Sequence, residues 1–200
     1  MGRKKNKPEW QADALELVNA LKGGGVVVHS TDTVWGLAAN AKHAKAMSRI
    51  FEIKQRPTHS NLLMLVDSPG MVEQYLPNLP DSAWELMEVS NRPVTVIAPC
   101  SEKAKAELAP GLVAEDGTLA VRWTKDEYVA FIIRGIGGPL ASTSANLTGQ
   151  PTPASFQQLE NGIKEGADIV ANYRRSQSSS GEASMIVKFD AHDRITVIRS

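Results

Sequence analysis

Apolar residues near the start of the chain recur at helical spacing. They lie three or four positions apart and predict a helix with one apolar face beginning near Pro8. These residues are Trp10, Ala14, Val18 and Leu21. Similar spacing, or a proline at a helix start, predicts further helices. They cover residues 43–54, segments opening at 69 and at 81, residues 126–133, and a segment opening after 153 that carries Phe156 and Leu159.

Short continuous apolar runs separate these helices and predict buried strands. The predicted strands are residues 26–29, 61–66, 93–98, 118–123, 168–170, 184–189 and 195–199. Strands and helices are mixed throughout the chain, and we find no internal repeat. The pattern therefore predicts a single α/β domain on a mixed sheet, over residues 9–200, preceded by a basic tail over residues 1–8.

Three polar segments interrupt the apolar pattern. Residues 30–37 (STDTVWGL) follow the first strand as a polar turn, and residues 142–146 (STSAN) form another turn after a short apolar run. Hydroxyls just beyond a buried strand are well placed to meet a ligand. Taken alone, an ordinary turn of Ser, Thr and Asp residues is the simpler interpretation of the first segment. Residues 174–182, rich in serine, are the best candidate for a mobile loop.

Two cations, Lys54 and Arg56, stand where the second helix is expected to end. Pro57 disfavours helical backbone at Arg56, so both side chains should project together from the helix end. A lysine beside an arginine, without a local acidic neighbour, suits phosphate or carboxylate. Arg122, at the end of an apolar strand, either extends to the rim or points into a cleft, and the sequence leaves both open. We expect a cleft built around the Lys54–Arg56 pair.

Composition limits the classes of function. Lys and Arg together number 22, as do Asp and Glu, so anion binding must be local. The single cysteine, Cys100, excludes an internal disulfide and suits a reducing cytoplasm, where we expect this protein. No apolar run approaches the roughly 20 residues of a membrane span, and the polar N-terminus lacks the apolar core of a signal peptide.

Several kinds of catalytic chemistry lack a sequence signature. The four histidines, His29, His43, His59 and His192, are scattered without metal-ligand spacing, so no metal site is expected. Ser142 or Ser144 would need a paired histidine to act as a nucleophile, and nothing in the sequence nominates one. The remaining hydroxyls, amides and cations suit transfer at phosphorus, where positioning and charge stabilisation supply most of the catalysis.

Three blocks in order, residues 30–37, 54–57 (KQRP) and 142–146, resemble the hallmark segments of the YrdC-like family of threonylcarbamoyl-AMP synthases. The resemblance extends over nearly the whole chain. It implies an enzyme that combines L-threonine, bicarbonate and ATP into threonylcarbamoyl-AMP and releases pyrophosphate. The product would serve a downstream transferase in the threonylcarbamoyladenosine modification of tRNA. The resemblance also implies a twisted mixed sheet, with flanking helices, that curves around a large basic cleft.

The same resemblance implies roles for individual residues. Those expected to bind threonine are Thr33, Arg122, Thr143 and Ser184. Those expected to bind the nucleotide are Lys54, Arg56, Ser60, Thr118, Ser144, Asn146, Thr152 and Arg199. Lys54 and Arg56 would be catalytic because they offset the charge that develops during attack on the α-phosphorus. Mg²⁺ would be held mainly through the triphosphate, without an acidic ligand cluster.

Two other functions stay open, and departures from the family pattern support the second of them, a related carbamoyl-transferring enzyme. Ser30 stands where a proline is usual, and Trp35 stands where a tyrosine is usual. A YrdC-like module that binds RNA or a nucleotide without chemistry would use the basic tail together with Lys54, Arg56 and Arg122. Weak tRNA binding would have the same origin, although the neutral overall charge counts against it. A related carbamoyl-transferring enzyme, with another amino acid or acceptor, is the other alternative.

Overall fold

A computed structural model describes residues 7–55, 62–177, 182–190 and 192–200. The strands in these residues are β1 (Val26–His29), β2 (Gly36–Asn40), β3 (Leu63–Val66), β4 (Val94–Pro99), β5 (Thr118–Trp123), β6 (Leu140–Ser144), β7 (Ile169–Val170), β8 (Met185–Phe189) and β9 (Ile195–Arg199). The helices are α1 (Gln11–Lys22), α2 (Ala44–Ile53), α3 (Pro69–Tyr75), α4 (Asp81–Val89), α5 (Glu102–Glu107), α6 (Glu127–Ile136) and α7 (Asn161–Gly166). A 3₁₀ turn covers Phe156–Gln158.

The described strands form one mixed sheet in the order β7-β1-β2-β6-β3-β5-β4-β8-β9. Three neighbouring pairs, β1 with β7, β3 with β5 and β4 with β8, run parallel, and the other pairs run antiparallel. The prediction of an α/β domain on a mixed sheet with flanking helices is therefore confirmed. Among the described residues, no helix combines the length and apolar character needed to cross a membrane.

Side chains on the two faces of the sheet differ in character. Residues in register across neighbouring strands share a face, and the next residue along each strand faces the other way. One face carries Leu37, Ala141, Met64, Val121 and Val96 on successive strands, and all five are buried in the hydrophobic core. The opposite face includes the polar residues Ser142 and Arg122. That second face bears the cavity described below.

Helices α1 and α6 pack closely against each other. On α1 the buried residues recur at helical spacing and comprise Ala14, Leu17, Val18 and Leu21. A Cβ atom at Gly135 of α6 would lie 2.5 Å from Cγ2 of Val18, so only glycine permits this approach. At one end of the pair, the ring of Trp10 meets the rings of Tyr128 and Phe131 edge to face, with centroids 5.8 and 5.5 Å away.

Two strand predictions at the site need correction. The sequence pattern places Gly36 and Leu37 in a turn, but in the structure residues 36–40 (GLAAN) form β2, which pairs with both β1 and β6. Alanine and glycine have weak strand propensity, so only pairing on both sides makes this segment a strand. Similarly, Ser142, Thr143 and Ser144 were predicted in a turn but lie within β6. Their backbone is fixed by pairing with β2 and β3.

Other differences lie away from the central strands. The helix predicted after residue 153 is only the 3₁₀ turn Phe156–Gln158, and α7 begins later, at Asn161. Helix α5 was not predicted; Ser101 caps it by accepting a hydrogen bond from the Ala104 N–H. Residues 1–6 of the predicted tail and residues 178–181 of the predicted loop lie outside the described residues. The mobility of that loop and the boundary at residue 8 stay predictions.

Candidate functional site

A cavity of about 300 Å³ lies on the polar face of the sheet. Its floor is built by residues that are neighbours across strands: Ser142 of β6, Leu63 of β3, Ala120 of β5 and Ile97 of β4. These four residues come from distant parts of the sequence. The strand register therefore brings together three segments that the sequence singled out, namely residues 30–37, the 118–123 strand and residues 142–146.

Arg122 lies in the wall of this cavity and is 3% exposed. Its Nη1 donates a hydrogen bond to Oγ1 of Thr33 at 2.8 Å, and its Nη2 donates to Oδ1 of Asp32 in an ion pair. Its Nε is buried and has no hydrogen-bond partner within the described part of the chain. Of the two orientations left open by the sequence, the structure therefore shows the inward one.

The turn after β1 holds Thr33 in place for this contact. Thr31 Oγ1 accepts hydrogen bonds from the backbone N–H groups of Thr33 and Val34, both at 3.1 Å, and donates to the Val34 carbonyl at 2.7 Å. The Thr33 hydroxyl lies 2.8 Å from Thr31 Oγ1, and either of the two can be the donor. In both cases Thr33 Oγ1 can accept the hydrogen bond from Arg122. The turn is thus both an ordinary Ser/Thr turn and part of the cavity wall.

A second guanidinium, that of Arg199, borders the cavity from β9. Its Nε and Nη2 donate to the Ser184 carbonyl at 3.0 and 2.7 Å. Burial lowers the pKa of Arg199 from its ordinary value. The Ser184 hydroxyl lies 2.8 Å from the Thr95 hydroxyl, and both residues are buried. Two arginines and a row of hydroxyls therefore share one cavity.

Lys54 directly follows α2 and is 2% exposed. Its Nζ donates to the Ser144 carbonyl at 2.5 Å and to the Asn146 carbonyl at 2.6 Å. The sequence predicts that Lys54 and the 142–146 segment lie together, and the structure shows that they do. The ammonium is bound to main-chain oxygens, and a role in binding an anion stays a prediction.

The structure distributes the predicted site residues in three groups. Those that line the cavity are Thr33, Arg122, Thr143, Ser144, Thr152, Ser184 and Arg199. Lys54 and Asn146 lie beside Ser144, and the Asn146 side chain donates to the Leu147 and Gln150 carbonyls at 2.9 and 2.8 Å. Thr118 lies outside this cavity wall, and its hydroxyl donates to Asp116 at 2.6 Å. Arg56 and Ser60 lie outside the described residues.

Sequence reasoning missed a buried contact between His29 and Ser142. His29 Nε2 lies 3.3 Å from Ser142 Oγ, although 113 residues separate the two in the chain. Burial, followed by the nearby Arg122 cation, lowers the pKa of His29 to about 4. The two side chains meet across β2, a strand that was not predicted. No spacing rule could therefore have nominated the pair.

Metal-binding groups are sparse around the cavity. Among residues 7–55, 62–177, 182–190 and 192–200, no three His, Cys, Asp or Glu side chains come together as a metal site would need. Asp32, a carboxylate beside the cavity, is paired with Arg122. The binding of Mg²⁺ through the triphosphate stays a prediction.

Comparison with known proteins adds relatives of stated function. The family model named for Sua5, YciO and YrdC, with the description "Telomere recombination", matches residues 19–200. A threonylcarbamoyl-AMP synthase of Stenotrophomonas maltophilia is 32% identical over 146 residues, which are 72% of this chain and 76% of that protein. A second, from Vibrio campbellii, is 29% identical over 177 residues, or 86% of this chain and 91% of the relative. A third, from Bacillus subtilis, is 34% identical, but the match spans only 40% of its length.

Solved structures share the fold. The structure of P. abyssi Sua5 complexed with L-threonine superposes with a TM-score of 0.75 at 26% identity, covering 90% of this chain and 51% of that one. The chain thus spans about half the length of this relative. The structure of E. coli YciO superposes with a TM-score of 0.79 at 19% identity, and the match covers 97% of this chain and 91% of the YciO chain. Because the identity is low, this likeness supports the fold alone. Because the family model matches nearly all of the sequence and the sheet superposes on these structures, the chain belongs to the Sua5/YciO/YrdC family.

Proposed function

We propose that this chain is a threonylcarbamoyl-AMP synthase, which converts L-threonine, bicarbonate and ATP into threonylcarbamoyl-AMP and pyrophosphate. The observation that carries the proposal is the polar cavity, in which the guanidinium of Arg122, held by Thr33 and Asp32, shares the wall with that of Arg199 and with a row of hydroxyls. Guanidinium groups suit carboxylates and phosphates, and the proposed substrates carry both. The relatives named for this activity are consistent with this assignment.

The size and polarity of the cavity suit a small polar substrate. Its volume of about 300 Å³ is at the lower end of the range for small-molecule sites, which is about 300–1,000 Å³. Arg199 supplies a second cation for the phosphates or the threonine carboxylate. The hydroxyls of Thr33, Ser144 and Thr152 would orient the substrates by hydrogen bonds.

The chemistry of the proposed reaction requires no protein nucleophile. The amine of threonine and bicarbonate form a carbamate with loss of water. A carbamate oxygen then attacks the α-phosphorus of ATP, the bond to the β-phosphate oxygen breaks, and pyrophosphate leaves with that electron pair. Lys54 and Arg56 would offset the growing negative charge, and Mg²⁺ bound to the triphosphate would neutralise phosphate charge. The carbamoyl carbon would then be ready for transfer.

The product defines the partners that we infer. A mixed anhydride of a carbamic acid and AMP is an activated carbamoyl donor, so a downstream transferase must consume it. We infer that this enzyme is the transferase that modifies tRNA and that the reaction takes place in the cytoplasm. Direct RNA binding by this chain would be weak, because positive and negative residues are equal in number.

The decisive assay incubates the purified chain with labelled bicarbonate, L-threonine, ATP and Mg²⁺. We expect pyrophosphate together with a labelled adenylate, and the loss of both when any one substrate is omitted. Pyrophosphate release that does not depend on threonine would contradict the proposal. Nucleotide binding without turnover would instead favour the binding module, and turnover with another amino acid would favour a related carbamoyl-transferring enzyme.

A further inference from the structure

The hydroxyl of Ser142 meets a histidine at the edge of the cavity. Ser142 lines the cavity and is 5% exposed, while His29 is fully buried and lies 3.3 Å away. The register pairs His29 with Gly36, and Gly36 in turn with Ser144, so the imidazole reaches Ser142 across β2. A Cβ atom at Gly36 would lie 2.9 Å from both His29 Nε2 and Ser142 Oγ. The missing side chain at Gly36 therefore permits this contact.

The surroundings of His29 favour an uncharged ring. Burial and the Arg122 cation oppose protonation, and the nearby Asp32 carboxylate favours it more weakly. The backbone of Ser30 also favours a proton on the ring, although Nδ1 has no hydrogen bond of good geometry within the described residues. In the neutral tautomer that carries its proton on Nδ1, Nε2 is an acceptor for the Ser142 hydroxyl, and this is the tautomer that the proposal requires.

This arrangement does not suit activation of a serine nucleophile. A general base must take up the serine proton, which would create an imidazolium ion. Here that cation would be fully buried beside the Arg122 guanidinium, and both burial and charge oppose it. The contact is better suited to orienting the hydroxyl than to deprotonating it. If Ser142 donates its hydrogen to His29, its lone pairs are available to the cavity.

We propose that His29 is a positioning residue that directs the Ser142 hydroxyl, and that Ser142 accepts a hydrogen bond from an N–H or O–H group of a substrate in the cavity. The identity of the substrates rests on the proposed function. Threonine offers its amine and hydroxyl, and ATP offers its ribose hydroxyls and adenine amino group. Breaking the contact between His29 and Ser142 should therefore weaken the binding of either threonine or ATP to the chain.

The test measures the Kd of L-threonine and of ATP by calorimetry, together with KM and kcat for pyrophosphate release. It compares the unchanged chain with Ser142→Ala, His29→Phe, His29→Gln and the double variant His29→Phe/Ser142→Ala. We expect Ser142→Ala and His29→Phe each to raise the Kd of the same substrate by about tenfold, as the loss of one hydrogen bond does. The double variant should bind that substrate no more weakly than either single variant. His29→Gln, which keeps an acceptor oxygen, should stay within about threefold.

Control measurements separate this role from a general effect on packing. His192→Phe replaces an exposed histidine and should leave both Kd values unchanged, and thermal unfolding checks that each variant folds. The proposal would be overturned by any of three results. These are additive losses of affinity in the double variant, equal losses of affinity for His29→Gln and His29→Phe, or unchanged binding in Ser142→Ala. If His29→Phe does not fold, Ser142→Ala and His29→Gln decide the matter.

The two readouts also distinguish this inference from the proposed function. A chain that binds threonine or ATP but releases no pyrophosphate would disprove the synthase activity. The calorimetric comparison of variants would still decide the role of Ser142. A chain that binds neither molecule would overturn both.

Discussion

The Arg122 side chain is a buried charge in the wall of the cavity. Its terminal nitrogens contact Thr33 and Asp32, while the Asp32 side chain keeps 32% of its surface exposed. A buried ion pair adds little net stability, because desolvation offsets most of the attraction. The unpaired Nε does not improve the fold either. The role proposed above for this cation is therefore ligand binding, and stability is not expected to be its main contribution.

Arg122→Ala should therefore lower kcat/KM for threonine by at least about 100-fold, since a charge-assisted contact to a carboxylate is lost. Steady-state assays with varied threonine measure this effect. The matched control is Arg134→Ala on α6, whose side chain is 60% exposed and lies 3.5 Å from Asp67. That control should retain activity within about twofold, because Arg134 does not line the cavity. Similar losses in both variants would disprove a specific role for Arg122.

His29 predicts a dependence of stability on pH. Its pKa is lowered from 6.5 to about 4 in the folded chain, by burial first and by Arg122 second, with a smaller opposing effect of Asp32. Between these values the unfolded chain binds the extra proton and the folded chain does not. The stability contributed by neutral His29 is therefore full above pH 6.5 and is lost as the pH falls towards 4.

Urea unfolding at several pH values tests this prediction. As the pH falls through this window, the free energy of unfolding of the unchanged chain should decrease by up to about 3 kcal/mol more than that of His29→Gln. This figure follows from about 1.4 kcal/mol for each unit of pKa shift. His192→Gln, at an exposed position, should follow the unchanged chain. Parallel curves for His29→Gln and the unchanged chain would show that His29 does not titrate in this way.

Among the elements, the contact between α1 and α6 depends on one glycine. Gly135→Ala would bring a Cβ atom 2.5 Å from Cγ2 of Val18, so the helices must separate or Val18 must move. We expect the free energy of unfolding to fall by about 1–3 kcal/mol, which is the usual effect of overpacking a core. The free energy of unfolding in urea measures it.

A compensating substitution makes the helix prediction specific. Val18→Ala removes the clashing methyl groups, so the double variant should be less unstable than the sum of the single changes. Gly70→Ala is the control, because a Cβ atom there has no neighbour within 4 Å and the residue lies within α3. It should be neutral or stabilise the chain by up to about 1 kcal/mol. Additive losses in the double variant would contradict the packing explanation.

At the scale of the whole molecule, Asp13 joins segments that are far apart in the sequence. Its carboxylate accepts hydrogen bonds from the Tyr128 hydroxyl at 2.6 Å, from the Asn172 N–H at 2.7 Å and from the Tyr173 N–H at 3.2 Å. One side chain of α1 thereby connects α6 with the segment that follows β7. Burial, followed by the contact with Asp13, raises the pKa of Tyr128, so that its hydroxyl remains a donor.

Asp13→Ala should lower the free energy of unfolding by about 2–4 kcal/mol, because three donors lose their acceptor at once. Chemical denaturation measures the loss. Glu16→Ala, on the exposed side of the same helix, should change stability by less than about 0.5 kcal/mol. A similar small change for Asp13→Ala would mean that water replaces the carboxylate at this junction.

The sequence alone determined most elements and their type. Helical spacing identified α1 and α2, and continuous apolar runs identified β1, β4 and β5, because these signals are local. Through the resemblance to one family, it also indicated residues 30–37 and 142–146, which meet at the cavity, and Lys54, which lies beside Ser144. It did not identify β2, whose alanines and glycine carry no strong local preference.

Only the tertiary structure decided which side chains meet. The inward position of Arg122, its pairing with Asp32 and the contact between His29 and Ser142 all depend on the register of strands that are distant in the chain. Register is set by long-range burial of one sheet face, and no short window of sequence contains that information. Local pattern therefore predicted the elements, whereas the pairing of those elements determined the site.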